Sequence, residues 1–175
     1  NMATPDNALI IIDMWDTYHP GHNRFQNVYE QTVNRVVNVV KKWTGPVVLS
    51  CYNTYWNAEY NDWEKPTHNP WSRPHILLEM AVNSKPLGLI SWDKPEVITH
   101  LVNNQVNELY YAGVSFPGCV QDRDLGINNM KYNSNVIIDC VIDLTSTGYN
   151  EHEIIHDTYR YALSHKQRIV TSDTL

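Results

Sequence analysis

Residues 8–13 of the chain read ALIIID and are the strongest indication of its fold. An unbroken apolar run that ends in a carboxylate is typical of a strand buried on both faces of a parallel sheet. Similar runs recur at residues 47–51, 109–113, 136–139 and 169–170. The sequence therefore predicts a sheet with helices packed on both sides.

A stripe of valines predicts the first helix. Its members follow the i, i+3, i+4, i+7 spacing of one helix face: Val33, Val36, Val37 and Val40. Such a stripe would pack on the sheet, and Thr44-Gly45-Pro46 would end the helix. Three further helices are predicted: over residues 95–104, from near Cys119, and from about 150 to 163 with Ile155, Tyr159 and Leu163 on one side.

The alternation of strands and helices predicts a three-layer αβα sandwich in a single domain over residues 1–175. Its central sheet would be mostly parallel with five or six strands, and residues 80–83 could supply a short one. In such sheets the ligand crevice lies at the carboxyl ends of the strands. Residues 53–80 are rich in Asn, Pro and aromatic residues and predict a long loop over the sheet.

Composition limits the classes of function. The 175 residues are 42% hydrophobic and 18% charged, which is typical of a globular protein. The net charge of -6 and the absence of a long basic run argue against nucleic-acid binding. No apolar stretch approaches the ~18 residues of a membrane helix, and NMATPDNA at the start lacks a signal core, so we expect a cytoplasmic protein without membrane contact. Three widely spaced cysteines indicate neither a disulfide framework nor a thiolate zinc site.

Three residues that follow predicted strands could carry chemistry: Asp13, Lys85 and Cys119. Crossover geometry would bring them to one crevice. Cys119 follows Gly118 at a predicted helix start, where the helix dipole would lower the pKa of its thiol, and a nearby Lys85 would act in the same direction. Each residue alone also has a structural explanation: Asp13 could cap a turn, Lys85 could be a solvated cation, and Cys119 could be a small buried side chain.

Residues 110–143 read YYAGVSFPGCVQDRDLGINNMKYNSNVIIDCVID, with Gly113-Val114-Ser115 ahead of Cys119-Val120. This stretch resembles the strand, nucleophile loop, helix and next strand of the isochorismatase-like cysteine hydrolases, which include nicotinamidases, N-carbamoylsarcosine amidases and isochorismatases. In that superfamily a Gly-Val-x-Thr-like segment precedes Cys-Val. Residues 8–20, ALIIIDMWDTYHP, are similar to its apolar strand followed by Asp-Met-Gln-Asn/Asp.

The resemblance implies a triad of Asp13, Cys119 and a lysine. Lys85 and Lys94 compete for the third place, and we choose Lys85 because its position 34 residues before the cysteine is close to the family's usual separation. The resemblance further implies a cis peptide bond between Val114 and Ser115 and an oxyanion held by backbone N–H groups near Ser115 and Cys119. The implied activity is hydrolysis of a C–N bond in a small amide, ureido or carbamoyl compound through a thioester.

Several aromatic residues could flank a small planar substrate: Trp15, Tyr18, Tyr55, Trp56 and Phe116. The chain also departs from the family pattern, with Trp15 in place of the usual Gln and Arg123-Asp124 where Thr-Ala is common. Metal-binding nicotinamidases carry Asp-x-His where this chain has Tyr52-Asn53-Thr54, so we expect no catalytic metal and no cofactor. The expected partners are a small-molecule substrate and further copies of the chain, since family members commonly form oligomers.

Other interpretations remain open. Residues 152–156 match H-E-x-x-H, the zinc-protease helix motif, although Asn150 and Glu153 also fit a helix cap. Residues 113–118 approach the G-x-S-x-G elbow of serine hydrolases, but the second glycine is one residue late. The chain could also be a non-catalytic binding or scaffold protein that retains the fold, or a vinyl ether hydrolase of the isochorismatase type.

Overall fold

The structure, a computed structural model, describes residues 5–16, 25–51 and 74–175. Its strands are β1 (Asn7–Ile12), β2 (Val47–Ser50), β3 (Gly88–Ile90), β4 (Glu108–Val114), β5 (Asn133–Ile142) and β6 (Arg168–Val170). Its helices are α1 (Gln26–Lys42), α2 (Ile76–Asn83), α3 (Lys94–Asn103), α4 (Cys119–Asp122) and α5 (Glu151–Ser164). All strand pairs are parallel, in the order β3-β2-β1-β4-β5-β6, which confirms the predicted three-layer sandwich with six strands.

Strand β1 is buried on both faces, as its apolar run predicts. Leu9 and Ile11 belong to the core layer that contains the buried side of α1, whereas Ile10 and Ile12 belong to the layer that contains the buried side of α3. Successive side chains of a strand point to opposite faces, so a strand between two helix layers must be apolar at every position. Among the described residues, no helix has the length and apolar character needed to cross a membrane.

The strand order creates a crevice between β1 and β4. The chain moves outward from β1 through β2 to β3 and then returns to the other side of β1 as β4. At such a reversal the connections after the two central strands leave in opposite directions, which opens a crevice at their carboxyl ends. Ile12 pairs with Gly113, so Asp13 and the loop after β4 begin side by side at that crevice.

Two predictions of local structure are wrong. Residues 80–83 are the end of helix α2 and not a strand, because Leu78 and Val82 lie four residues apart and both bury against the sheet. The true third strand is the three-residue β3, which is too short to stand out as an apolar run. In α5 the buried side consists of Ile154, Thr158 and Ala162, so the predicted side with Ile155, Tyr159 and Leu163 is offset by one residue.

Asp139 in β5 ties the end of the chain to the sheet. Its carboxylate accepts hydrogen bonds from the backbone N–H and the hydroxyl of Ser172, and Arg35 Nε lies 3.7 Å from Asp139 Oδ2. We expect Asp139→Ala to lower the free energy of unfolding by about 1–3 kcal/mol, because charge-assisted hydrogen bonds are lost in a half-buried place. Chemical denaturation would measure this loss. Asp173→Ala, at an exposed neighbour, should change stability by less than about 0.5 kcal/mol, and equal losses in both variants would contradict the prediction.

Candidate active site

Asp13 is a buried carboxylate at the end of β1. Its side chain is only 3% exposed, and its backbone N–H donates to Ser50 O at 2.8 Å. Its φ angle is 52°, in the left-handed region that a residue other than glycine adopts at a cost and that Asp tolerates better than most. This turn directs the carboxylate into the crevice instead of continuing the strand.

Cys119 stands where the loop after β4 enters α4. The peptide bond between Val114 and Ser115 is cis, as the resemblance predicts. The Ser115 hydroxyl donates to Pro117 O at 2.6 Å, and Val120 N–H donates to Ser115 O at 3.1 Å. These bonds fold the loop back on itself. The Cys119 thiol is partly buried, and it lies close enough to Asp13 for the charge of that carboxylate to raise its pKa.

Arg123 completes this group of charges. Its Nε donates to Asp13 Oδ2 at 2.8 Å, and its side chain is 35% exposed. Arg123 follows α4 directly, and its backbone N–H donates to Cys119 O at 3.0 Å. In the sequence, Arg123 stands out only as a departure from the family pattern. Its one further signal is its position four residues after Cys119, about one helical turn away, and this spacing does not determine where its side chain points.

The pKa of the Cys119 thiol is raised, not lowered as the sequence predicts. Burial is the largest cause, and the nearby Asp13 charge acts in the same direction, while Arg123 and a backbone hydrogen bond with Ser115 favour the thiolate. Because α4 has only four residues, its dipole is small. The resting cysteine is therefore a thiol, and a carboxylate lies near it.

Lys85 does not join Asp13 and Cys119. It lies in the turn that leads into β3, at the amino edge of the sheet, and its Nζ lies 3.4 Å from Lys41 O. The prediction placed it after a strand, but the preceding residues form helix α2, so Lys85 precedes a strand instead. Lys94 does lie at the carboxyl edge, where its Nζ donates to Asn129 O at 2.7 Å.

A cavity of about 300 Å³ opens beside Asp13. Its walls are formed by Asp13, Ser50, Trp92, Asp122, Arg123, Asp124 and Leu125. Trp92, in the connection between β3 and α3, was not predicted. Its indole ring gives the cavity an aromatic wall, which the sequence predicts at other residues.

The structure describes two of the five aromatic residues that are predicted to flank the substrate, and both pack against the protein. Phe116 is fully buried and packs edge-to-face on Tyr161, with the ring centroids 5.5 Å apart. Trp15 packs against the core layer of α1, and its backbone carbonyl accepts a hydrogen bond from the Tyr29 hydroxyl. Tyr18, Tyr55 and Trp56 lie outside the described residues.

The competing motifs have structural roles. Glu153 N–H donates to Asn150 Oδ1 and Tyr149 N–H donates to the Glu153 carboxylate, so residues 150–153 form a helix cap. No group of three or more potential ligands among the described His, Cys, Asp and Glu residues could hold a metal ion. The Ser115 hydroxyl is used inside its own loop, and residues 113–118 form no serine-hydrolase elbow around it.

Comparison with protein-family models and with curated proteins finds no match. Solved structures do match. An isochorismatase family protein from Desulfovibrio vulgaris has a TM-score of 0.64 at 15% identity, over 97% of this chain and 96% of that one. An isochorismatase-like hydrolase from Alkaliphilus metalliredigens has a TM-score of 0.63 at 13% identity, over 96% and 94% of the two chains. The yeast nicotinamidase bound to nicotinaldehyde has a TM-score of 0.61 at 13% identity, over 94% and 99%. The chain therefore has the isochorismatase-like fold that its residues 8–20 and 110–143 predict.

Proposed function

We propose that the protein is a cysteine hydrolase that cleaves a C–N bond of a small amide, ureido or carbamoyl compound. One observation carries this proposal: a partly buried thiol and a buried carboxylate lie close together at the crevice between the two central strands. A nucleophile beside a base, next to a cavity, is the arrangement that acyl transfer requires. The cavity of about 300 Å³ has the size of a small-molecule site.

The reaction would proceed in two steps. In the first, Asp13 accepts the Cys119 proton while the sulfur forms a bond to the substrate carbonyl carbon. The tetrahedral intermediate then expels the nitrogen, which takes the proton from Asp13 and leaves as an amine, with a thioester remaining on Cys119. In the second step Asp13 takes a proton from water, the hydroxide attacks the thioester, and the thiol leaves with that proton.

Backbone N–H groups near Ser115 and Cys119 are our proposed oxyanion donors. Those of Phe116 and Val120 donate to carbonyl oxygens of the protein, at 2.9 and 3.1 Å. A donor aimed at the developing oxyanion contributes roughly 3 kcal/mol to lowering the barrier. The compact loop after β4 would hold these donors in place before the substrate arrives.

The chemistry of the site favours an amide over a vinyl ether. A thiol in contact with a carboxylate supplies the nucleophile that a thioester route needs, whereas protonation of a vinyl ether needs only an acid. The similarity to a nicotinamidase, an enzyme named for an amide, supports the same choice.

The test is trapping of the acyl-enzyme. The protein would be incubated with a panel of small primary amides, ureas and carbamoyl compounds and followed by intact mass spectrometry. We expect at least one compound to add its acyl mass to the protein. Cys119→Ser should lose this thioester adduct, because the sulfur nucleophile is missing.

Cys140→Ala provides the matched control. Cys140 is a free, fully buried thiol in β5, so its removal should leave the adduct in place. An adduct that survives Cys119→Ser would contradict the proposed nucleophile. If no compound on the panel is hydrolysed or forms an adduct, the result favours a non-catalytic protein with this fold.

A further inference from the structure

We propose that Arg123 supplies the cation of the catalytic group, as a positioning residue that orients Asp13 and stabilises the Cys119 thiolate. This inference rests on the proposed hydrolase function. It assigns to an arginine in the nucleophile's own helical turn the place that the family resemblance gives to a lysine in the middle of the chain.

The contact between Arg123 and Asp13 is the first ground. A carboxylate that is 3% exposed must be paired or lose its charge, and Arg123 Nε donates to it at 2.8 Å. Arg123 is also the cation that favours the thiolate of Cys119, while Asp13 opposes it. The charges of Arg123 and Asp13 therefore both act on the Cys119 thiol, in opposite directions.

The position of Arg123 in the fold is the second ground. Its backbone N–H is bonded to Cys119 O, and its own carbonyl accepts Asn129 Nδ2 at 3.1 Å. The guanidinium is thus carried by the same short segment as the nucleophile. The residues that carry the cation and the sulfur are therefore one turn of chain apart.

Both candidate lysines are engaged elsewhere. Lys85 lies at the opposite edge of the sheet, and the Lys94 ammonium donates to Asn129 O, in the loop after α4. Two further charged groups line the same cavity, Asp122 and Asp124, which flank Arg123 in the chain. Arg123 is therefore the cation best placed to act on Asp13.

A guanidinium has chemical consequences that an ammonium lacks. Arginine stays charged at any pH at which the protein is folded, and its planar fork directs its hydrogen bonds. A positive charge in contact with Asp13 favours its ionised form, which is the form that accepts a proton. The thiolate formed by that transfer would meet the same positive charge.

The test is the pH dependence of Cys119 alkylation by iodoacetamide, located by peptide mass spectrometry. The thiolate is the reacting form, so Arg123→Gln should slow labelling several-fold at fixed pH and move the profile to higher pH. Arg123→Lys should restore much of the labelling rate. Lys85→Gln, at the remote edge, should leave the profile unchanged.

Turnover of any amide identified above gives a second readout. Arg123→Gln should lower kcat on the order of 10²-fold because Asp13 loses its orientation, with a smaller change in KM. The inference is overturned if Arg123→Gln leaves the alkylation profile in place, or if Lys94→Gln moves it instead. It is also overturned if Arg123→Lys, folded by circular dichroism, behaves like Arg123→Gln. The two proposals can fail separately. If acyl adducts form but the alkylation profile does not depend on Arg123, this inference alone is refuted. If the profile depends on Arg123 but no adduct forms, the proposed function alone is refuted.

Discussion

Gly113→Ala is expected to destabilise the protein by about 4 kcal/mol or more, a loss that few single substitutions cause. Gly113 lies in β4 at φ 132°, a backbone conformation that residues other than glycine rarely adopt. A Cβ atom at this position would lie 2.1 Å from Ile12 O and 2.7 Å from Ile12 N. These are backbone atoms of the neighbouring central strand, so neither strand can yield without breaking the sheet where it carries Asp13. Chemical denaturation would measure the loss.

Gly118→Ala is the matched control for this steric effect. Gly118 has almost the same φ, 131°, but the atoms nearest to its added Cβ would be atoms of Ser115 at 3.4 Å, an ordinary contact distance. It should therefore suffer the backbone strain without the collision and lose about 1–3 kcal/mol. Equal stability of the two variants would contradict the predicted collision between a Cβ atom at residue 113 and the backbone of β1.

The central part of the fold could be predicted from sequence because burial leaves a pattern. A strand between two helix layers is apolar at every position, which is why residues 8–13 and 47–51 identify β1 and β2. The edge strand β3 has three residues, all only partly buried, and leaves no such run. Helix α2 was missed for the opposite reason. Its sequence, ILLEMAVN, is apolar on most sides, so no helical period stands out from it.

That Asp13 and Cys119 would lie at the same crevice could be predicted, because both come soon after an apolar strand. Asp13 and Cys119 lie within a few residues of β1 and β4, and parallel strands bring their carboxyl ends together. The cation could not be found in this way. Arg123 reaches Asp13 across 110 residues of chain, through a side chain long enough to leave its own helical turn. Its direction depends on where the short helix α4 ends, which no local pattern records.

Asp13→Asn is expected to change turnover and thiol reactivity in opposite directions. Turnover should fall by about 10²–10⁴-fold, because an amide cannot accept the proton of Cys119 or of water. Alkylation of Cys119 at pH 7 should become faster. Burial and the Asp13 charge both raise the pKa of this thiol, so removing the charge lowers that pKa, increases the thiolate fraction, and shifts the alkylation profile to lower pH. Asn is the appropriate substitution because it has the same shape and tolerates the positive φ of residue 13.

Asp6→Asn gives the control. Asp6 is an exposed carboxylate at the opposite end of β1, so it tests the loss of one negative charge without the loss of the base. It should leave both turnover and alkylation unchanged. A purely structural role for Asp13 predicts a different result, because a disturbed site would slow turnover without a shift of the alkylation profile to lower pH. An increase in thiol reactivity together with a loss of turnover would therefore indicate two effects of Asp13. Its charge keeps Cys119 protonated at rest, and its carboxylate accepts the Cys119 proton when substrate is bound.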